Sequence, residues 1–77
     1  MNAKQLPKIL ANGATVVDAA PLRAGGWAIL ADASAVSPVH PYVTWVADEA
    51  GDTFWGHYFL DLAEARTDYN ERVRRGH

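Results

Sequence analysis

Histidine and acidic side chains are the groups in this sequence that could perform metal or acid–base chemistry. The chain has three histidines and nine acidic residues. A zinc site needs three or four converging ligands, and the spacing of these residues matches no known ligand pattern. His40 and His57 could meet only if the proline-rich loop folds back, with Asp32 or Asp61 as a carboxylate ligand. We therefore expect no metal, no cofactor, and His57 as a hydrogen-bonded residue of a strand.

Catalysis by carboxylates or serines also finds little support. Acid–base catalysis needs carboxylates in a pocket that shifts their pKa, whereas Asp48, Glu49 and Asp52 surround a predicted turn. Ser34 and Ser37 lie in a predicted loop without the pattern of a nucleophile elbow. The sequence therefore predicts a protein that is not an enzyme.

The aromatic residues are the more informative feature, because they concentrate in two neighbouring segments. Tyr42–Ala47 and Thr53–Phe59 are rich in aromatic and β-branched residues, which is typical of strands. Residues 48–52 separate them with the sequence Asp-Glu-Ala-Gly-Asp. The Asp-x-x-Gly spacing favours a three-residue hairpin turn with a bulge at Gly51.

The register of this hairpin decides which rings share a face, because side chains alternate along a strand. With the bulged turn, one face carries Val43, Trp45, Trp55, His57 and Phe59. The other face then carries Tyr42, Thr44, Val46, Phe54 and Tyr58, with Gly56 between the last two. A four-residue turn would instead set Trp45 opposite Gly56, where the indole could cover the bare backbone. Under either register, both faces hold large rings.

Rings on both faces predict a contact surface, because a sheet with short helices normally covers one face and exposes a polar one. Exposed aromatic patches mark contact sites, and Trp and Tyr dominate interface hot spots. The alternative is that the helices cover both faces and only polar tips reach solvent. We predict protein binding through the hairpin, by the residues Tyr42, Trp45, Trp55, His57, Tyr58 and Phe59.

The remaining elements must position this hairpin. Helical spacing over residues 4–11 predicts a short helix that begins near Pro7. Residues 15–17 read as a strand that could extend to residue 20, a Gly-Gly turn and a second strand over residues 27–31 follow, and residues 33–41 read as a loop.

The last element reads as a helix with signals at both ends. Asp61 can cap it, Glu64 lies at the reciprocal capping position, and Gly76 is available as the stop. The chain, residues 1–77, is expected to be a single α+β domain of order α-β-β-β-β-α. Its antiparallel sheet would have three to four strands, with a short N-terminal helix and a longer C-terminal helix.

Length, charge and composition exclude several classes of protein. The chain has 77 residues, no cysteine and a formal net charge of −2, so it has no disulfide framework and no strong field for polyanions. It lacks the roughly 20 apolar residues of a membrane span and a signal-like N-terminus, so we expect no membrane association and a cytoplasmic protein. A core of this size is marginal, because burial and chain ordering nearly cancel. Self-association would add stability, which favours a homodimer.

Nucleic-acid binding is the alternative function. A sheet that displays rings can stack unpaired bases, and the last helix carries four arginines: Arg66, Arg72, Arg74 and Arg75. The same arginines could instead complement the dipole at the helix C-terminus. The alternative is therefore a binder of single-stranded or structured nucleic acid.

The segments Tyr-Val-Thr-Trp at residue 42 and Trp-Gly-His-Tyr-Phe at residue 55, followed by an acidic-to-basic helix, resemble a known group. They are similar to small uncharacterised proteins of actinobacteria and of their phages or plasmids. The resemblance covers residues 42–75. It implies an intracellular accessory protein of unknown activity that binds or inhibits a host factor.

Overall fold

The computed structural model describes Ile9 and residues 13–50 and 52–76. They form four strands and one helix: β1 Thr15–Pro21, β2 Trp27–Asp32, β3 Tyr42–Ala47, β4 Thr53–Phe59 and α1 Leu62–Arg75. The strands form one antiparallel sheet in the order β1-β2-β3-β4. The predicted α+β class, antiparallel sheet and C-terminal helix are confirmed. The predicted N-terminal helix lies outside the described residues except for Ile9, which forms an isolated antiparallel bridge with Thr15.

A tight glycine turn between β1 and β2 sets the first hairpin. Gly25 and Gly26 both have positive φ, at 107° and 76°, which glycine adopts without a steric cost. A Cβ on Gly26 would lie 2.2 Å from the carbonyl oxygen of Ala47. No side chain fits there, so this turn packs directly against the end of β3.

The two central strands are buried on both faces. The helix α1 covers one face, where the buried residues are Leu22, Ala28, Leu30, Val46, Ala65 and Tyr69. The opposite face has its own buried cluster of Ala14, Trp27, Ile29, Ala31, Ala33, Val43, Trp45 and Ala47. β2 and β3 therefore have near-continuous apolar sequences, as expected for strands covered on both sides.

The β3–β4 hairpin begins in the predicted register and then departs from it. The backbone N–H of Asp48 donates to the carbonyl of Asp52 at 2.9 Å, and Val46 lies opposite Phe54. Beyond this point Trp45 faces an extra residue of β4, and the register shifts by one. This bulge is centred on Trp55, whose φ is 57°.

The bulge ends the register expected from the bulged turn, and beyond it the pairs follow the alternative register, with Trp45 over Gly56. Each residue after an inserted one moves to the other face of a sheet. His57 and Phe59 are therefore opposite Thr44 and Tyr42, on the face that α1 covers, rather than beside Trp45. Tyr58 takes the place predicted for them, on the Trp45 face.

The helix α1 has the predicted ends. The Asp61 side chain accepts a hydrogen bond from the N–H of Ala63 at 2.6 Å, and Gly76 ends the helix with φ at 83°. The Gly76 carbonyl accepts from the N–H of Ala24 at 2.9 Å, which ties the helix end to the β1–β2 turn. Within the described part of the chain, the helix lacks the length and apolar character that crossing a membrane requires.

Candidate functional site

The edge strand β4 and the residues that follow it carry the exposed rings and apolar side chains of the hairpin. Trp55 is 66% exposed, Tyr58 is 55% exposed and Leu60 is 69% exposed. We define the β4 edge surface as the five large exposed residues of this segment: Phe54, Trp55, Tyr58, Leu60 and Leu62. Among the described strands, β4 pairs with β3 alone, so its outer side is open.

The backbone of the bulge holds Trp55 outward. Trp55 is the one non-glycine residue with positive φ among those the structure describes, a conformation that costs an L-residue about 1–2 kcal/mol. A guanidinium N–H of Arg72 donates to the carbonyl of Trp55. The Phe54 ring packs edge-on against the indole, with centroids 4.9 Å apart. These contacts offset the backbone strain and fix the direction of the side chain.

Trp45 has a different role from the one predicted for it. It is 6% exposed, so it cannot serve as an open contact residue. Its indole lies over Gly56, where an added Cβ would be 2.7 Å from Nε1. The Tyr58 ring meets it edge-on at 6.4 Å between centroids. Trp45 therefore supports the bulge and the exposed Tyr58 from below.

A polar network lies between the sheet and the helix beneath this surface. Arg72 is 4% exposed, and its Nε donates to Thr44 Oγ1 at 3.1 Å and to Asp68 Oδ2 at 3.2 Å. Asp68 also accepts from Thr44 Oγ1 at 2.5 Å and lies 3.0 Å from His57 Nδ1. Burial raises the pKa of Asp68, but the hydrogen bonds from Thr44, His57 and Arg72 outweigh it and leave the pKa below its usual value. The carboxylate thus stays charged and binds three elements together.

The His57–Asp68 pair has the geometry of a general base, but no hydroxyl of the described residues is hydrogen-bonded to the His57 ring. The nearest hydroxyl, on Thr44, is fully buried and donates to Asp68 itself. Among the described residues, no group of three or more His, Cys, Asp or Glu side chains is arranged to hold a metal ion. The network is therefore arranged for holding β3, β4 and α1 together.

The six predicted contact residues separate into two groups. Trp55 and Tyr58 reach the open surface, and the His57 side chain is half-exposed at the helix side. Tyr42 and Phe59 are a cross-strand pair that packs against the helix-side cluster. The sixth, Trp45, is buried as described above.

Sequence reasoning missed Phe54, Leu60 and Leu62 as surface residues. Leu60 and Leu62 flank Asp61, the N-cap residue of α1. Their position where the chain leaves the sheet was the sequence signal that could have indicated their exposure. Leu62 is the first residue of α1, beyond the sheet, and is exposed.

The four arginines proposed for nucleic-acid contact all have partners within the chain. Arg66 binds Asp18 at 2.7 Å and lies over the Tyr69 ring, 5.6 Å from its centroid. Burial, followed by the negative charge of Asp18, raises the pKa of Tyr69 to about 12. The remaining arginines bind acidic residues of their own helix: Arg72 with Asp68, and Arg74 and Arg75 with Glu71. Arg74 and Arg75 share this one carboxylate, and half or more of each side chain stays exposed.

A groove of about 420 Å³ runs between β4 and α1. Its lining residues are Phe59, Glu64, Thr67, Asp68 and Glu71. The hydrogen bond from Arg74 is the main reason that the pKa of Glu71 lies below its usual value. Glu64 takes part in none of the ion pairs between described residues. The groove therefore combines a phenyl ring with a wall of carboxylates.

Comparisons of this chain with protein-family models, with curated proteins and with solved structures found no match.

Proposed function

We propose that this chain is a non-enzymatic protein-binding module that contacts its partner through the β4 edge surface. The observation that carries the proposal is the display of Trp55 and Tyr58, at 66% and 55% exposure, on a strand whose outer side is open. Both rings have apolar bodies with one polar tip, the combination that recurs at interface hot spots.

The size of the surface supports this proposal. Phe54 lies opposite Val46 on the face that α1 covers, whereas Tyr58 lies on the Trp45 face, so the exposed area is distributed around the edge of the sheet. With about 200 Å² for each ring, the exposed fractions of Trp55 and Tyr58 correspond to roughly 240 Å². A partner strand that docks along the edge contacts both sides of it, and a standard interface takes about 800 Å² per partner, so these two rings supply an apolar part of one.

The rigidity of the surface also favours binding. Trp55 is oriented by Arg72 and Phe54, and Tyr58 is backed by Trp45. Side chains that are already ordered lose less entropy when a partner docks. The strain at Trp55 is consistent with a functional position, because strained backbone concentrates at such sites.

The setting of the module is part of the proposal. A chain without cysteine suits a reducing compartment, and we place it in the cytoplasm. The resemblance to small proteins of actinobacterial mobile elements favours a host protein as the partner. A second copy of the chain is the other protein that this surface could accept, as a homodimer.

Site-specific cross-linking tests the proposal. A photoreactive amino acid replaces Trp55 or Tyr58 in the native host. The matched controls replace Val36 and Val39, which are exposed apolar residues of the β2–β3 loop. We expect one defined adduct from the β4 positions, competed by excess wild-type protein but not by a Trp55→Ser variant. The same adducts from the loop positions, or no adduct at all, would contradict a docking role for β4.

Nucleic-acid binding is not favoured by the arrangement of the arginines. Arg66 and Arg72 each have a carboxylate partner of their own, whereas Arg74 and Arg75 share Glu71, so about one unbalanced cation remains at the end of α1 to release counterions from phosphates.

A further inference from the structure

We infer that the segment which docks on β4 is an extended strand with cationic residues at alternate positions. This inference rests on the proposed function and names the chemistry of the partner. The strand would add to the open side of β4, with its cations over the acidic groove and its apolar residues beside Tyr58.

The backbone of β4 is the first support. β4 is the last strand of the sheet and hydrogen-bonds to β3 alone. Its outer N–H and C=O groups form a template for another strand, and peptides that bind in this way gain affinity from main-chain hydrogen bonds. Edge strands are commonly protected by charged residues, by proline or by a β-bulge, and the bulge at Trp55 limits the regular template to the segment from Gly56 to Phe59. The sequence of β4 is Thr-Phe-Trp-Gly-His-Tyr-Phe. It contains no proline, aspartate, glutamate, lysine or arginine, and its histidine is the one residue that can carry a positive charge.

The alternation of β4 defines the pattern of the added strand. His57 and Phe59 face α1, and Tyr58 faces the other side. An added strand lies about 4.8 Å away and continues the same alternation of faces. Every second side chain of it would therefore lie above the groove beside Phe59. The intervening side chains would lie beside Tyr58.

The charges of the groove select the side chains that enter it. The wall of α1 carries Glu64, Asp68 and Glu71 along one side of the groove. Asp68 and Glu71 have arginine partners, whereas Glu64 takes part in no ion pair of the described chain. A lysine or arginine stem could pack on the Phe59 ring while its charged end reaches Glu64. An acidic side chain in the same place would meet repulsion.

The ends of β4 argue against a second copy as the occupant. Asp52 precedes the strand and Asp61 follows it. An antiparallel pair of β4 strands would set Asp52 of one copy near Asp61 of the other. A parallel pair would set each residue near its own equivalent. Both arrangements bring carboxylates together, whereas a basic segment would be attracted at both ends.

Binding of synthetic peptides to the intact chain tests the inference. The probe is a capped peptide of alternating lysine and valine, about ten residues long, the upper length of common strands. One control alternates glutamate and valine, and the second has the lysines and valines in separate blocks. We expect the alternating lysine peptide to bind at least about tenfold more tightly than either control, a difference of about 1.4 kcal/mol. Equal affinities for the three peptides would overturn the inference.

Variants of the chain locate the binding. Glu64→Gln should lower the affinity for the alternating lysine peptide at least about threefold. Glu49→Gln removes the same charge at the hairpin turn and should change this affinity less. N-methylation of alternate peptide amides on the β4 side should abolish binding, because it removes the main-chain donors. Equal effects of the two substitutions, or full binding by the N-methylated peptide, would contradict strand addition over the groove.

Two outcomes separate this inference from the proposed function. Cross-linking from Trp55 to a partner, combined with no binding of the lysine peptide, would overturn the inference and leave the protein-binding function in place. Light scattering that shows a dimer, disrupted by Trp55→Ser, would overturn the choice of a foreign strand in favour of a second copy. Binding of the peptide by a chain that stays monomeric supports the inference.

Discussion

β3 and β4 are two strands of one hairpin with similar compositions and opposite environments. Both are rich in aromatic and β-branched residues, yet β3 is buried from Val43 to Ala47 while β4 is largely exposed. β3 lies between two strands and beneath apolar clusters on both faces, whereas β4 lies at the edge of the sheet. Position in the sheet, rather than composition, decides which rings become core and which become surface.

The contrast is sharpest between Trp45 and Trp55. Trp45 is 6% exposed and covers Gly56, where no side chain would fit. Trp55 is 66% exposed and projects from a backbone with positive φ. One indole stabilises the fold and the other is available to a partner. Substitution of Trp45 should therefore mainly lower stability, whereas substitution of Trp55 should mainly weaken partner binding.

Substitution of Trp45 should have the largest effect. Trp45→Ala removes a buried indole and leaves a cavity over Gly56, which we expect to lower the free energy of unfolding by about 3–5 kcal/mol. Chemical denaturation followed by circular dichroism measures the change. The matched control, Trp55→Ala, should cost less than about 1.5 kcal/mol. Similar losses for the two variants would remove the distinction between the strands.

Substitution of Arg72 should have the next largest effect on stability, because this side chain joins β3 and β4 to α1. Arg72→Met keeps much of the apolar stem but leaves Asp68 and the Trp55 carbonyl without their donor. We expect a loss of about 2–4 kcal/mol, since a partly buried charge loses its partner. Arg75→Met is the control on the same helix, because Arg75 is half-exposed and lies 3.8 Å from Glu71. Comparable stabilities of the two variants would show that the network contributes little.

The pH dependence of stability should report the same network with a smaller effect. The pKa of Asp68 lies below its usual value in the folded chain, so its ionised form stabilises the fold. This stability is present above the unfolded pKa of about 3.9 and is lost as the pH falls through the folded pKa. Chemical denaturation at pH values between about 6 and 3 measures this dependence. The free energy of unfolding should fall more steeply with decreasing pH for the wild type than for Asp68→Asn. Parallel curves would contradict this role of Asp68.

Much of the fold could be predicted from local signals. The bounds of β3 and β4, the Asp61 cap and the Gly76 stop follow from composition and capping residues near each element. The turn also set the register of the first pairs after it. These features depend on interactions within a few residues, which a sequence displays directly.

The faces of the rings could not be predicted in the same way, because the bulge at Trp55 depends on distant residues. Its carbonyl is held by Arg72, which lies 17 positions further along the chain. The space for it comes from Trp45 lying over Gly56. Both predicted registers occur, one on each side of the bulge. The turn signal alone could favour one register, but it contained no information about where that register would end.

The smallest effect on stability should come from Trp55→Gly, which is also the sharpest test of the difference between the strands. Glycine adopts the positive φ of residue 55 without strain, while the loss of the Phe54 contact costs about 0.5–1.5 kcal/mol. The two effects nearly cancel, so we expect stability within about 1 kcal/mol of the wild type. Trp55→Ala loses the same contact and keeps the strain, and should be less stable than Trp55→Gly by about 1 kcal/mol. Denaturation of both variants measures this difference. Because both lack the exposed indole, both should also lose the partner adduct formed from Tyr58, so partner binding and stability would separate at this residue. If Trp55→Gly unfolded like Trp45→Ala, the indole at residue 55 would be part of the core and its display to a partner would be excluded.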